Sequence, residues 1–145
     1  EALFYAYDLL RRPIYLKTAE KTLGFLEYIT LENGRYSPIG QNGWYFRHQN
    51  RAYFDQQPED AASMVQTQLA AYRITKNKKH FTAAVKTFKW FLGENHLQQM
   101  VYDEVTGGCH DGVGQEAINL NQGAESTISY LMSRLEFEES EHDHN

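Results

Sequence analysis

The sequence predicts an all-α fold: about five helices in antiparallel hairpins, forming part of an (α/α) toroid with two long loops at one end. Three observations predict it. Apolar residues recur three and four positions apart in five separate stretches. The connections alternate between short turns and long irregular segments. A short pattern also repeats at an offset of 66 residues.

Leu3, Tyr7 and Leu10 share one helical face until Arg11-Arg12-Pro13 interrupts it, at a proline suited to a first helical turn. Leu16, Ala19, Leu23 and Leu26 carry the second helix to a stop at Glu32-Asn33-Gly34. Pro58 precedes the third, marked by Ala61, Val65, Leu69 and Tyr72. Phe81, Ala84, Val85, Phe88, Phe91 and Leu92 give the fourth. Ile128, Leu131, Met132 and Leu135 give the fifth, opened near Asn121 or Gln122. Tyr45-Phe46 and Met100-Val101-Tyr102 are candidate short strands. All seven lysines fall in helices two and four or the turn before four, which makes those the outer layer. The small residues of helices three and five fit an inner layer. Residues 1–135 then form one domain, and 136–145 an acidic, disordered tail.

The formal charge of −5 comes from that tail, where Glu136, Glu138, Glu139, Glu141 and Asp143 stand without a base. The rest balances at 14 acids and 14 bases, so the basic surface that nucleic-acid binding requires is absent. No apolar run approaches the length of about 18 residues that spans a bilayer, so no membrane partner is expected. Cys109 is the single cysteine, which excludes an intrachain disulfide and points to a reducing, cytoplasmic setting.

At the offset of 66, Asp55-Gln56-Gln57-Pro58-Glu59 lies over Asn121-Gln122-Gly123-Ala124-Glu125, and both runs mark a long loop entering an inner helix. Glu59 and Glu125 therefore occupy the first turns of two helices that face the same end. A carboxylate there also answers a helix N-terminus, gaining about 0.3–1 kcal/mol, so a structural role stands beside a catalytic one. The same dipole favours the ionised form, so either glutamate is expected to act as a base, and an acid with a raised pKa is expected elsewhere.

The first loop concentrates Trp44, Tyr45, Phe46, Arg47, His48, Arg51, Tyr53 and Phe54. A sugar offers an apolar face for ring stacking and a rim of hydroxyls for Arg, Asp, Gln and Asn, and the loop supplies that mixture. The second loop carries Asp103, Gly107, Gly108, Cys109, His110, Asp111 and Gly112, where His110 with Asp111 is a candidate acid–base pair and Cys109 a weaker candidate nucleophile. No metal-ligand spacing repeats, so neither metal nor other cofactor is expected. The candidate catalytic residues are Glu59, Glu125 and Asp111. The candidate substrate-binding residues are Trp44, Arg47, Arg51, Asp55, Gln56, His110, Asn121 and Gln122.

The runs Arg51-Ala52-Tyr53-Phe54-Asp55-Gln56-Gln57-Pro58, Trp90-Phe91-Leu92-Gly93, Thr106-Gly107-Gly108-Cys109-His110-Asp111-Gly112 and Asn119-Leu120-Asn121-Gln122-Gly123-Ala124-Glu125-Ser126-Thr127 carry a family likeness. They resemble the C-terminal helical region of bacterial glycosyltransferase-associated proteins and the six-hairpin glycosidase-like superfamily, over about residues 40–135. The resemblance implies a toroid and carbohydrate substrates, with no catalytic assignment to carry over. A closed six-hairpin ring needs more helices than this chain has. The expected role is therefore a carbohydrate-binding or carbohydrate-processing domain of glycoside hydrolase or glycosyl transferase type. The alternative is a non-catalytic scaffold that docks a glycosyltransferase domain or a second copy through an open helical edge.

Overall fold

A computed structural model describes residues 1–142, with helices α1 (Ala2–Leu10), α2 (Pro13–Thr30), α3 (Pro58–Thr75), α4 (Lys78–Phe88) and α5 (Ala124–His142). Two short hairpins lie in the long connections: β1 (Leu31–Glu32) with β2 (Arg35–Tyr36), and β3 (Gly112–Val113) with β4 (Ile118–Asn119). Helices dominate, as the apolar spacing predicts.

Pro13 and Pro58 open α2 and α3 at a position whose N–H has no helical acceptor to lose. α1 and α3 end alike. Arg11 and Lys76 each adopt left-handed backbone, with φ of 52° and 56°, and each returns its N–H to a tyrosine carbonyl, of Tyr7 and Tyr72. Asn77 then caps α4 by accepting the Lys79 N–H at 3.1 Å.

α3 is the central element, with Ala61, Ala62, Val65, Leu69, Ala70 and Ala71 all buried. α4 packs on one side of it and α5 on another. Glu59 and Glu125 lie close enough to interact near the helix starts, and Arg73 Nη1 donates to Glu136 at 2.7 Å near the far end, so α3 and α5 run parallel. They begin at Pro58 and Ala124, which matches the sequence offset.

Three expectations need correction. α5 does not stop at 135, because Phe137 packs edge-on against Phe81 and Phe88, with centroids 6.0 and 5.2 Å away. The expected tail is therefore helical to His142, and its last three positions lie outside the described residues. α4 ends at Phe88 rather than Leu92, since Trp90 and Phe91 turn inward to full burial in a run of tight turns. The expected strand at Tyr45-Phe46 is irregular chain between two turns, and Tyr102 makes only an isolated bridge to Cys109. The strands form instead where Asn33-Gly34, with φ of 51° and 81°, closes a tight hairpin, and where Gly112 lets β3 approach the first loop. A Cβ on Gly112 would lie 2.7 Å from the Gln56 carbonyl oxygen.

The two long loops are joined to each other. Gln56 and Val113 exchange backbone hydrogen bonds at 2.9 Å in both directions. The Gln56 side chain is buried, and its Oε1 accepts the Trp90 indole N–H at 2.7 Å. Its Nε2 donates to the Tyr53 carbonyl at 2.9 Å and to Ser37 Oγ at 3.2 Å. Replacing Gln56 with Ala leaves the indole N–H buried without an acceptor, so we expect a loss of about 2–4 kcal/mol in urea unfolding. Trp90→Phe in the Gln56→Ala background should cost much less than in the wild type, a coupling that a double-mutant cycle measures directly.

Candidate functional site

The loop-bearing end is built on that joint. Side chains alternate along the extended segment before α3, so Gln56 points inward while Asp55 and Gln57 line an open groove on the surface. Gln41 and Asn42 line it from the start of the first loop, and Asp111, Gly114 and Asn119 from the second. Its volume is about 530 Å³, within the range of small-molecule sites. The lining is rich in amides and carboxylates.

The first loop rises beside the groove on a hydrogen-bonded base. Gly40 donates to Ala52 at 2.9 Å, Gln41 to Asp55 at 3.0 Å and Asn42 to Phe54 at 3.1 Å. At its tip Trp44 is 55% exposed and holds left-handed backbone at φ 57°. His48 does likewise at φ 66°. Left-handed backbone at two non-glycine residues costs energy that the surrounding bonds must offset, a pattern common at functional loops. Tyr45 stacks on Phe25 of α2 at 6.2 Å, whereas the exposed Trp44 ring has no such ring partner among the described residues. Arg47 is exposed on the same tip.

Two residues past Gln57, Glu59 meets Glu125. Its pKa is pushed up to about 7, chiefly by the hydrogen bond to the Glu125 carboxyl, with partial desolvation and the negative charges of Glu125 and Asp60 adding to it. This reverses the expectation of a base. The helix dipoles do favour carboxylates here, but the parallel helices bring two of them together, and one proton held between them relieves the repulsion. Glu59 is thus the carboxyl at this end whose pKa is raised.

Asp111 proves to be an anchor. It accepts from the Gly123 N–H and Ser126 Oγ, both at 2.7 Å, and from the Asn121 amide, so it ties the second loop to the start of α5. Those bonds, led by Ser126, hold its pKa below the usual carboxylate value. One edge still lines the groove. His110 does not pair with it as an acid–base couple, and its Nδ1 instead lies 3.2 Å from the Leu120 carbonyl oxygen. Cys109 is fully buried, and burial with the nearby Asp111 charge pushes its thiol to about 12, which removes it as a nucleophile near neutrality.

Three candidate ligand contacts also have structural partners. Arg51 is buried, donating to the carbonyls of Ser37 and Pro38 at 2.8 and 3.2 Å, pairing with Glu32 at 3.0 Å and lying over the Tyr53 ring. Gln56 is the interloop joint. Gln122 donates to Asp103 and accepts from Thr106, each at 2.8 Å, holding the Gly107-Gly108 turn. The structure leaves Trp44, Arg47, Asp55, Glu59 and Glu125 open to solvent, with Asn121 turned toward Asp111. Sequence reasoning missed Gln41, Asn42, Gln57 and Asn119. For Gln57 the signal was present, since only one of two adjacent residues in an extended segment can face inward.

Compared with known families and curated proteins, the sequence matches no family model and no curated relative. No helix among the described residues is long and apolar enough to cross a membrane.

Folding raises the Glu59 pKa, so this group favours the folded state fully below its ordinary value of 4.5 and loses that contribution as pH rises through about 7. Glu125→Gln removes the competing carboxylate and supplies an amide donor. Carboxyl-carbon NMR titration should then show Glu59 falling from about 7 toward or below 4.5. An unchanged midpoint would exclude Glu125 as the cause.

Proposed function

We propose that this end of the molecule binds a saccharide and that Glu59, proton-sharing with Glu125, is its acid. The observation that carries the reading is an open groove lined by Gln41, Asn42, Asp55 and Gln57, with Glu59, whose pKa is raised toward neutrality, two residues beyond Gln57 at the start of α3. Trp44 supplies an apolar face against which a sugar ring stacks. Asp55, Gln57, Gln41 and Asn42 supply donors and acceptors for its hydroxyls. The sequence resemblance to glycosidase-like proteins supports the same class.

The chemistry open to such a site is proton donation to a glycosidic or hydroxyl oxygen. Hydrogen-bonded carboxyls stand closer together than the ~5–5.5 Å of retaining or ~6.5–9.5 Å of inverting glycosidase pairs. Glu59 and Glu125 therefore act as one acid unit, and Asp55 on the groove wall is the carboxylate left to accept a hydroxyl proton or orient water. We further propose that the parallel α1, α3 and α5, with α2 and α4 returning outside them, are an arc of an (α/α) toroid. Two features support this: the matching caps at Arg11 and Lys76, and the repeat spacing of α3 and α5.

Calorimetry across an oligosaccharide panel should find a ligand whose affinity falls about tenfold, or 1.4 kcal/mol, with Trp44→Ala. No binding by any panel member would overturn the reading. Where turnover accompanies binding, Glu59→Gln should lower kcat by about 10²–10⁴ with little change in KM, and the wild-type rate should fall as pH rises through about 7.

A further inference from the structure

On α5 the residues Ile128, Leu131, Met132 and Leu135 form an apolar stripe three and four positions apart, exposed at 54%, 44%, 49% and 56%. The repeat spacing of 66 places Leu131 and Leu135 over Val65 and Leu69 of α3, which have no exposure at all. What covers Val65 and Leu69 is mainly α4, through Ala84 with Phe81 and Phe88 beside it, and Phe137 of α5 closes the edge of that cluster. The same spacing sets Ile128 over the buried Ala62. α5 thus repeats the face of α3 without the helix that lies on it.

A separate groove runs between α4 and a different side of α5. It has a volume of about 510 Å³ and is walled by Val85, Phe88 and Leu92 on one side and by Tyr130 and Phe137 on the other. At the C-terminal end of the stripe, Glu138 and Glu139 stand where α3 has Tyr72 and Arg73, and Glu138 also accepts from Arg134 Nε at 3.2 Å across an exposed pair. A helix laid antiparallel to α5, as α4 lies on α3, would bring its positive N-terminal end to those carboxylates.

We propose that this face of α5 takes one further amphipathic helix from outside residues 1–145. That helix runs antiparallel to α5, sets small and aromatic side chains on Leu131 and Leu135, and turns a basic first turn toward Glu138 and Glu139. A second copy of α5 fits poorly. Antiparallel pairing would match Ile128 with Leu135 and Leu131 with Met132, but would also set Glu138 of each copy against Glu125 of the other, twice. The inference stands apart from the saccharide reading and can fail without it.

The probe is a fluorescently labelled peptide of residues 77–92. This segment has the required chemistry in Lys78, Lys79, Phe81, Ala84 and Phe88, and a lactam from Thr82→Glu to Lys86 fixes it as a helix. Anisotropy should show saturable binding to the full chain. Leu131→Asp and Leu135→Asp should each weaken it by at least about tenfold, and Glu138→Lys should weaken it and reduce its salt dependence. Leu9→Asp on exposed α1 should leave it unchanged. Circular dichroism checks that the substituted chains remain folded. The proposal is overturned by absent binding, by binding that survives both α5 substitutions, or by a wild-type dimer that Leu131→Asp dissociates.

Discussion

Gln56 sits where the two long loops meet, and each of its polar groups has a different partner. The carbonyl oxygen takes the indole N–H of Trp90, the amide nitrogen serves Tyr53 and Ser37, and the backbone pairs with Val113. A buried amide is costly unless fully bonded, so the site tolerates only one arrangement of the loops around it. That arrangement fixes the phase of the chain into α3. Asp55 and Gln57 must face the groove, Pro58 must open the helix, and Glu59 must occupy its first turn.

From that phase the acid pair follows. α3 and α5 start at the same end and run parallel, held together farther along by Arg73 and Glu136. Two helix N-termini invite two carboxylates, yet the same geometry sets those carboxylates against each other. The direct hydrogen bond between Glu59 and Glu125 prevails over the dipoles, because the dipoles act on both side chains while a proton can sit with only one. A carboxylate placed to answer a helix N-terminus thereby keeps its proton to higher pH than an ordinary glutamate. Asp111 shows the opposite outcome at the same end, since three donors converge on it and it remains ionised.

The helices and their repeat were legible because both rest on local spacing. Five apolar stripes, two N-terminal prolines and a recurring Gln-x-x-Glu spacing survive in the sequence whatever the rest of the chain does. Polar assignments were less legible, because a polar residue's role depends on partners far along the chain. Arg51 and Gln122 read as ligand contacts, yet Arg51 is claimed by Glu32 and the Ser37 and Pro38 carbonyls, and Gln122 by Asp103 and Thr106. The acidic end of α5 read as a tail because its charges are local. The packing that keeps it helical comes from Phe137 on Phe81 and Phe88 of a different helix. Asn33-Gly34 is a local signal with two outcomes, since the same pair that stops α2 also closes the hairpin of β1 and β2.

The account joins three features at one end of the molecule: an aromatic tip, an amide-lined groove and a shared-proton acid pair. Nitrogen-15 NMR of side-chain amides and indoles during saccharide titration tests that joining directly. The account predicts that the Trp44 indole and the Gln41, Asn42 and Gln57 amides shift together with one binding constant, while the buried Trp90 indole stays in place. Shifts confined to the α5 apolar stripe, or a Trp44 response without the groove amides, would contradict it.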